Sequence, residues 1–223
     1  MNWRYAIGEV FLIVVGISIA LGANSWYEDR KERAEERAVL EQIKQSLIVD
    51  LEEYQARQQI HVDQESNIIT LIEHMDGDEP YHSELDSLFR SVIRWRGVAS
   101  STAPYEALKS RGFALVSDDE LRSSIIYYYE NQVRTVVRVA ANDRIFVAER
   151  LLPYVDENFR WESTAVIKPL DYELLRKDNY YRSLCMMKLS RLQNFILPNY
   201  EISVAMIREI VDEIDAELIK FSH

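Results

Sequence analysis

Cysteine, glycine and proline are all scarce in this chain of 223 residues. Its single cysteine, Cys185, excludes an internal disulfide, so cysteine usage does not report the redox compartment. Six glycines and five prolines favour long helices over many short strands joined by tight turns. Hydrophobic residues make up 48% of the chain and charged residues 28%, which is typical of a folded protein rather than a disordered one.

Positive charge is in deficit as well. The formal net charge is -11, and because residues 1–27 carry only Arg4 and Glu9, that charge lies in residues 28–223. An acidic surface repels phosphate backbones, so nucleic acid is not an expected partner.

Motifs that carry chemistry are missing. The four histidines have no metal-ligand spacing, and neither a phosphate-binding loop nor a nucleophile elbow occurs. The many carboxylates are typical of a solvated helix face. The sequence therefore predicts no catalytic residue, no metal ligand and no cofactor, and we do not expect an enzyme.

One long hydrophobic run stands near the N-terminus, from Ala6 to Ala23, with Glu9 as its only charge. Aromatic residues flank it on both sides: Trp3, Tyr5, Trp26 and Tyr27. Trp3 and Trp26 would be roughly 34 Å apart along a helix, which matches a hydrocarbon core of roughly 30 Å with aromatic belts. The pattern predicts a transmembrane anchor over residues 1–27, with these four aromatic residues at the membrane interfaces and membrane lipid as a partner.

A cleaved signal peptide is the alternative, because Ala20-Leu21-Gly22 resembles a small-residue cleavage site. Against it, Arg4 is the only basic residue before the run, and a helix-favouring stretch follows without a break. We therefore favour the anchor.

Small residues recur within this run and predict helix association. Gly8, Gly16 and Ala20 are separated by eight and four residues, which places them along one side of a helix and lets helices approach closely. Glu9 is counted with them among the helix-association residues and is expected to lie at the membrane interface, where it snorkels, is neutralised, or pairs with Arg4 or a neighbouring subunit. The alternative is a functional role, in which Glu9 lines an ion path or serves as a proton site. The chain is accordingly expected to form a homo-oligomer.

Residues 28–223 are predicted to form an acidic, all-α helical bundle with antiparallel neighbours. Leu40, Ile43, Leu47, Leu51 and Tyr54 step by three or four residues and predict a stalk helix over about 28–75, continuous with the anchor.

Helix boundaries follow from capping and breaking residues. Ser117 with Glu120 predicts a capping box, and Asp171 and Asp178 predict helix N-caps. Pro153 is expected to end or bend one helix, and Pro198 to kink the last one. Residues 156–170 are less regular and predict a loop or a short extended piece.

Tyrosine is abundant, with 13 residues. Tyr127, Tyr128 and Tyr129 are about 100° apart on a helix, so they cannot all be buried on one stripe. Exposed tyrosine suits interfaces; the alternative is that these residues bridge core and rim within one subunit.

Two segments resemble an uncharacterised family of bacterial single-pass membrane proteins abundant in Bacteroidetes. The first consists of residues 5–9, 16–17, 19–21, 24 and 26, and the second of residues 105–110, 112 and 118–122, followed by the tyrosine triplet. The sequence departs from that family in having a shorter basic leader and less bulky residues at Gly22 and Ala23. The family is a domain of unknown function, so the resemblance implies an anchor and a helical domain but no activity.

The two indications of orientation disagree. Arg30, Lys31, Arg33 and Arg37 follow the run, which by the positive-inside rule places the C-terminal domain in the cytoplasm. The basic leader of the resembling family implies the opposite. We expect a location in the cytoplasmic membrane with the domain outside the cytoplasm.

The leading functional hypothesis is a membrane-anchored, non-enzymatic helical interaction or scaffold protein that self-associates. Two alternatives stay open. One is a sensor or ligand-binding domain that signals through a partner protein, and the other is a subunit of a channel or transport complex.

Overall fold

The first element that the structure describes is one very long helix. A computed structural model describes residues 3–77 and 79–221, with the backbone alone at residues 3–8, 10 and 11. Helix α1 (Trp3–Asp76) has 74 residues, or about 110 Å of helix. Its described side chains are exposed or half-buried as far as Glu35, and burial begins at Glu36. Only the second half of α1 therefore belongs to the packed domain.

The predicted membrane location is wrong. In the part of the chain that the structure describes, no helix is both long enough and apolar enough to cross a membrane. The apolar run ends at Ala23. Asn24 follows, and charged residues follow from Glu28 onward. The single-pass anchor over residues 1–27 and the extracytoplasmic placement of the domain are corrected accordingly.

The remaining chain folds around the second half of α1, and the predicted all-α class is confirmed. The helices that follow are α2 (Leu85–Val92), α3 (Ala103–Arg111), α4 (Asp119–Tyr127), α5 (Arg134–Phe146), α6 (Leu152–Asn158), α7 (Tyr172–Leu175), α8 (Asn179–Arg191) and α9 (Leu197–Lys220). A short 3₁₀ turn covers Phe113–Leu115. Residues 93–102, here called the α2–α3 loop, contain no regular helix or strand. The domain is a helical bundle with one irregular segment laid against α1.

A small hairpin occupies the segment that the sequence left irregular. Strand β1 (Phe159–Trp161) pairs with strand β2 (Ile167–Pro169) in antiparallel register, with Trp161 opposite Ile167. Phe159, Trp161 and Ile167 lie on the same face of the hairpin. Phe159 and Ile167 are buried there, whereas Trp161 at the end of β1 is exposed, and Arg160 on the other face is exposed as well. The hairpin is a minor addition to an otherwise helical fold.

Three π-helical segments make short helices into continuous runs. They are Tyr128–Val133 between α4 and α5, Val147–Leu151 between α5 and α6, and Leu192–Ile196 between α8 and α9. Pro153 and Pro198 each lie two residues after one of these segments. A proline ring clashes with the carbonyl four residues earlier, and the wider π turn lies at that position in both cases. The prolines therefore do not end their helices.

The two predicted aspartate caps agree with the structure, and the predicted Ser117 cap does not. Asp171 and Asp178 cap α7 and α8 as predicted, each accepting backbone N–H groups. At α4 the cap is Asp118, which accepts the amides of Glu120 and Leu121 at 3.0 and 3.1 Å. The Ser117 capping box is wrong, because the Ser117 hydroxyl donates instead to the buried Glu36, 81 residues away. Ser117 therefore binds a residue that is distant in sequence instead of the start of its own helix.

The core forms where α1 meets the C-terminal helices. Leu40, Ile43, Leu47 and Tyr54 of the predicted stripe are fully buried, and Leu51 is partly buried. Polar side chains also make contacts at the edge of this interface, at three positions along α1. These are Lys44 with Asp215, Glu65 with Gln193, and Asp76 with Arg182.

Candidate functional site

The first candidate surface is the apolar stretch of α1 that packs against nothing in the bundle. We call residues 12–27 the N-terminal segment. Eight of its large side chains are each more than half exposed: Leu12, Ile13, Val14, Ile17, Ile19, Leu21, Trp26 and Tyr27. They point in all directions around the helix, because burial shows no period along the segment.

Small residues interrupt this apolar surface. Gly16 and Ala20 are exposed, and a Cβ placed on either Gly16 or Gly22 would meet no described atom within 4 Å. Glu9 is exposed as well. The side chains of Trp3 and Tyr5, and the glycine at position 8, lie outside the residues whose side chains the structure describes. The interface role predicted for Trp3, Tyr5, Trp26 and Tyr27 depended on the membrane anchor.

Charged residues of both signs follow the N-terminal segment and are organised along the helix. Asn24 donates to Glu28 at 3.0 Å, and Lys31 lies 3.9 Å from Glu35. The guanidinium of Arg30 lies 5.4 Å from the centre of the Trp26 ring. These contacts join residues four apart and stabilise an exposed helix.

The second candidate surface depends on how α1 holds the α2–α3 loop. Three polar side chains of α1, spaced seven residues apart, reach toward it: Asp50, Arg57 and Gln64. Gln64 is fully buried and donates to the carbonyl of Arg94 at 2.9 Å, while Arg57 donates to the carbonyl of Gly97. A seven-residue spacing is two helical turns, so these side chains share one face of α1.

Asp50 anchors the far end of the loop inside the core. Its carboxylate accepts the Ser100 hydroxyl and, at 3.1 Å, the Ser101 amide. Burial raises the pKa of Asp50 above its usual range, and these hydrogen bonds oppose the rise. The hydroxyls of Tyr54 and Tyr128 are buried near this carboxylate; burial raises the pKa of both, and the charge of Asp50 raises it further. The loop is thus fixed by a polar cluster inside an otherwise apolar core.

An open cleft of about 550 Å³ lies between this loop, the end of α2 and the hairpin. Its walls include Arg90, Arg94, Arg96, Trp95 and Trp161. The guanidinium of Arg90 lies 5.7 Å from the centre of the Trp161 ring. Trp95 and Trp161 are 41% and 42% exposed, so each presents a large part of its ring to the cleft and the solvent. We call this the arginine–tryptophan cleft.

A buried ion pair joins α5 to α8. The ammonium of Lys188 lies 2.6 Å from both carboxylate oxygens of Asp143, and both side chains are almost wholly buried. Burial lowers the pKa of Lys188, and the carboxylate of Asp143 opposes that change. Beside the pair opens a groove of about 350 Å³, with Met187 and Phe195 about half exposed in its wall.

His61 lies close to this ion pair and is itself buried. Its Nδ1 is 3.2 Å from Oε1 of Gln64, and its ring centre is 5.4 Å from that of Tyr200. Burial lowers the pKa of His61 below its ordinary value, the Gln64 carbonyl opposes the change, and the charge of Lys188 reinforces it. The imidazole is therefore neutral at neutral pH and serves as part of the link between α1 and the loop.

The one thiol of the chain lies inside the core. Cys185 is fully buried, and burial raises the pKa of its thiol to about 12, which removes its nucleophilic form at neutral pH. Among the side chains that the structure describes, no three His, Cys, Asp or Glu residues converge to hold a metal ion.

Most of the tyrosines belong to the core rather than to a surface. Eight are buried, and Tyr105 stacks on Tyr129 with ring centres 4.5 Å apart. Within the triplet, Tyr128 and Tyr129 are buried while Tyr127 is 58% exposed, so the three do not share one stripe, as the helical spacing predicts. The tyrosine content is explained mainly by packing within one chain.

Sequence reasoning found the N-terminal segment but missed the cleft and the buried polar cluster. Arg90, Arg94 and Arg96 stand close together around Trp95, and that clustering on an acidic chain was the available signal. Trp161 comes from a hairpin about 65 residues further on, and no local pattern connects it to α2.

The chain matches no known protein-family model, no curated protein and no solved structure.

Proposed function

We propose that this chain is a non-enzymatic helical interaction protein that self-associates through the N-terminal segment of α1. The observation that carries the proposal is the set of eight large apolar side chains there, each more than half exposed. Monomeric proteins rarely expose contiguous apolar patches larger than a few hundred Å². Such a surface is typically buried against a partner, and we propose that the partner is the same segment of a second copy of this chain.

The charges beyond the segment favour a second copy over a partner of one sign. Residues 28–37 carry five acidic and four basic side chains, whereas the whole chain has a net charge of -11. A nearly balanced stretch can pair its acidic side chains with the basic ones of an identical copy, and a symmetric interface requires this self-complementarity. A strongly basic or strongly acidic partner would meet like charges along the same stretch.

The small residues support close approach of two helices. Gly16 and Ala20 are four residues apart, so they lie on nearly the same side of α1. Interaxial distance depends on the side chains at the contact, and small ones shorten it. Exposed Glu9 lies one turn or more before them and is available to Arg4 or a basic residue of the second copy. We assign helix association to Gly8, Glu9, Gly16 and Ala20 as part of this proposal.

The domain beyond residue 28 would then be carried on a shared stalk. Lys44 of α1 contacts Asp215, and Asp76, further along α1, contacts Arg182, which comes earlier in the sequence than Asp215. This order supports an antiparallel packing of α1 with α8 and α9. The stalk projects from the end of the bundle where α9 finishes, because Lys44 contacts Asp215.

Membership of the uncharacterised bacterial family abundant in Bacteroidetes remains part of the proposal. It is supported by the two segments of resemblance, and the second of these spans α3 and the start of α4.

The test is the mass of the full-length protein in solution, measured by light scattering over a hundredfold range of concentration. We expect a defined oligomer for the wild type. Gly16→Leu is expected to weaken it, because leucine would separate the two helices. Within one chain the substitution meets nothing, so it does not disturb the monomer. Gly22→Leu is the matched control, since Gly22 lies about 120° around the helix from Gly16 and its surroundings are equally open.

Two results would overturn the proposal. One is a monomer at every concentration, with full-length protein recovered on lipid vesicles instead. The other is an oligomer that Gly16→Leu and Gly22→Leu leave unchanged, which would place the interface elsewhere.

A further inference from the structure

The arginine–tryptophan cleft concentrates positive charge on a protein that is otherwise acidic. Arg90, Arg94 and Arg96 line it, although the chain as a whole has a net charge of -11. None of the three forms an ion pair with any carboxylate that the structure describes. Some arginines elsewhere in the bundle are paired, as Arg182 is with Asp76 at 2.7 Å. Among the described residues that line the cleft there is no Asp or Glu, although carboxylates are plentiful in the chain.

The guanidiniums of Arg90 and Arg94 are also held close enough to oppose each other. Burial lowers the pKa of Arg90, and the positive charge of Arg94 lowers it further. Like charges placed together without a counter-ion destabilise the folded protein, and an anion between them removes that repulsion. The guanidinium is planar and presents several donors, so it suits carboxylate and phosphate groups.

Two indole rings provide flat apolar walls beside this charge. Trp95 and Trp161 both line the cleft and are each about two-fifths exposed. Arg144 lies 5.7 Å from the centre of the Trp95 ring, and Arg90 stands at the same distance from Trp161. Each ring therefore has a cation at one side and remains partly uncovered, which leaves area on which a second planar ring can stack.

The walls of the cleft are fixed before any ligand arrives. Gln64 holds the carbonyl of Arg94 at 2.9 Å, and Arg57 holds that of Gly97. On the opposite wall the indole N–H of Trp161 donates to Asp156 at 3.2 Å. A preorganised site loses less entropy on binding than a flexible one. A volume of about 550 Å³ lies within the usual size range of small-molecule sites.

We propose that the arginine–tryptophan cleft binds a small organic anion that carries a planar ring together with a carboxylate or phosphate group. The guanidiniums of Arg94 and Arg96 hold the anionic group, and the indoles of Trp95 and Trp161 stack against the ring. This site is separate from the N-terminal segment and goes beyond self-association.

Two pairs of compounds distinguish the contribution of the anionic group to binding from that of the ring. They also distinguish a phosphate from a carboxylate. AMP and adenosine share a ring and differ in a phosphate, while benzoate and benzamide share a ring and differ in the charge. Binding is followed by tryptophan fluorescence in full-length protein carrying Trp3→Phe and Trp26→Phe, so that Trp95 and Trp161 are the only reporters. We expect at least one anion to bind roughly tenfold or more tightly than its neutral counterpart, because hydrogen bonds to charged groups are the stronger ones.

Variants then locate the site. Arg94→Gln is expected to weaken binding of the anion roughly tenfold and to leave the neutral compound unaffected. Arg208→Gln is the matched control: it removes the same charge from an exposed arginine of α9 that lies outside the cleft. Gly16→Leu is titrated too, and an unchanged affinity there separates this site from the self-association surface.

Three outcomes would overturn the inference. The first is that neither anion binds more tightly than its neutral counterpart. The second is an equal effect of Arg94→Gln and Arg208→Gln, which would indicate general charge attraction. The third is an absence of saturation with AMP and with benzoate up to roughly 10 mM, an affinity too weak for a built site.

Discussion

Removing one partner of the Asp143–Lys188 ion pair should destabilise the bundle severely. Both side chains are almost wholly buried, and the ammonium lies 2.6 Å from each carboxylate oxygen. The pair joins helices separated by 45 residues of sequence. Burial disfavours the charged form of Lys188, and the carboxylate of Asp143 is the main influence opposing it. Neither charge is stable there without the other.

The expected magnitude follows from that geometry. Asp143→Leu conserves the approximate shape of the side chain but leaves the ammonium alone, which costs about 3–5 kcal/mol. Lys188→Met leaves the carboxylate alone and should cost a similar amount. In the double variant no buried charge remains, and replacing a buried pair by apolar residues is often neutral or stabilising. We therefore expect the double variant to be more stable than either single one.

The assay is urea unfolding followed by circular dichroism, with thermal melting as a second measure. For a domain of this size, 3–5 kcal/mol corresponds to a drop in Tm of roughly 6–20 °C. Asp76→Leu is the matched control, because Asp76 and Arg182 form an ion pair whose side chains are 47% and 44% exposed. An exposed pair contributes about 0–1 kcal/mol.

Either of two results would refute this reasoning. If Asp143→Leu destabilises no more than Asp76→Leu, the pair is not buried as the structure shows. If the losses in the two single variants simply add in the double variant, the two charges are not energetically coupled.

Two further predictions concern a buried histidine and a helix cap. Because burial lowers the pKa of His61 below 6.5, the unfolded chain takes up a proton at a higher pH than the folded one. The stabilisation of the folded protein by the neutral His61 is present above about pH 6.5, and it is lost as the pH falls through the lower pKa of the folded state. Between about pH 7 and pH 5, the urea midpoint should therefore fall further for the wild type than for His61→Phe. An equal fall in the two proteins would contradict this. Asp118→Ala should cost about 1 kcal/mol, because its carboxylate caps α4. Asp119→Ala is the control for that measurement, and an equal loss of Tm in the two variants would argue against the cap.

Local chemistry predicted the helices well where no distant group competed. The stripe from Leu40 to Tyr54 lies in the core, and the aspartates before α7 and α8 cap them. Ser117 shows the limit of this reasoning. Its pattern with Glu120 is a sound local capping signal, yet Glu36 binds both its hydroxyl and its amide, at 2.8 and 2.6 Å. Sequence spacing gives no indication of a partner 81 residues away.

The prolines show a second limit. Pro153 and Pro198 would break an ordinary α-helix, and the sequence alone predicts a break or a kink at each. In the structure the preceding turn widens to a π-helix and the helical run continues. Tertiary packing decides between breaking and widening, and nothing in the neighbouring residues indicates which will occur.

The long-range polar contacts explain why the arginine–tryptophan cleft could not be found from sequence. On α1, Asp50, Arg57 and Gln64 look like ordinary polar positions of an amphipathic helix. Their seven-residue spacing becomes meaningful only when the α2–α3 loop lies along that face and each side chain meets a loop atom. The same helix that carries the exposed apolar segment at one end thus fixes the backbone of Arg94 at the other. Because Gln64 is fully buried and bonded to that backbone, the position of the cleft depends on the packing of α1 rather than on the loop's own sequence.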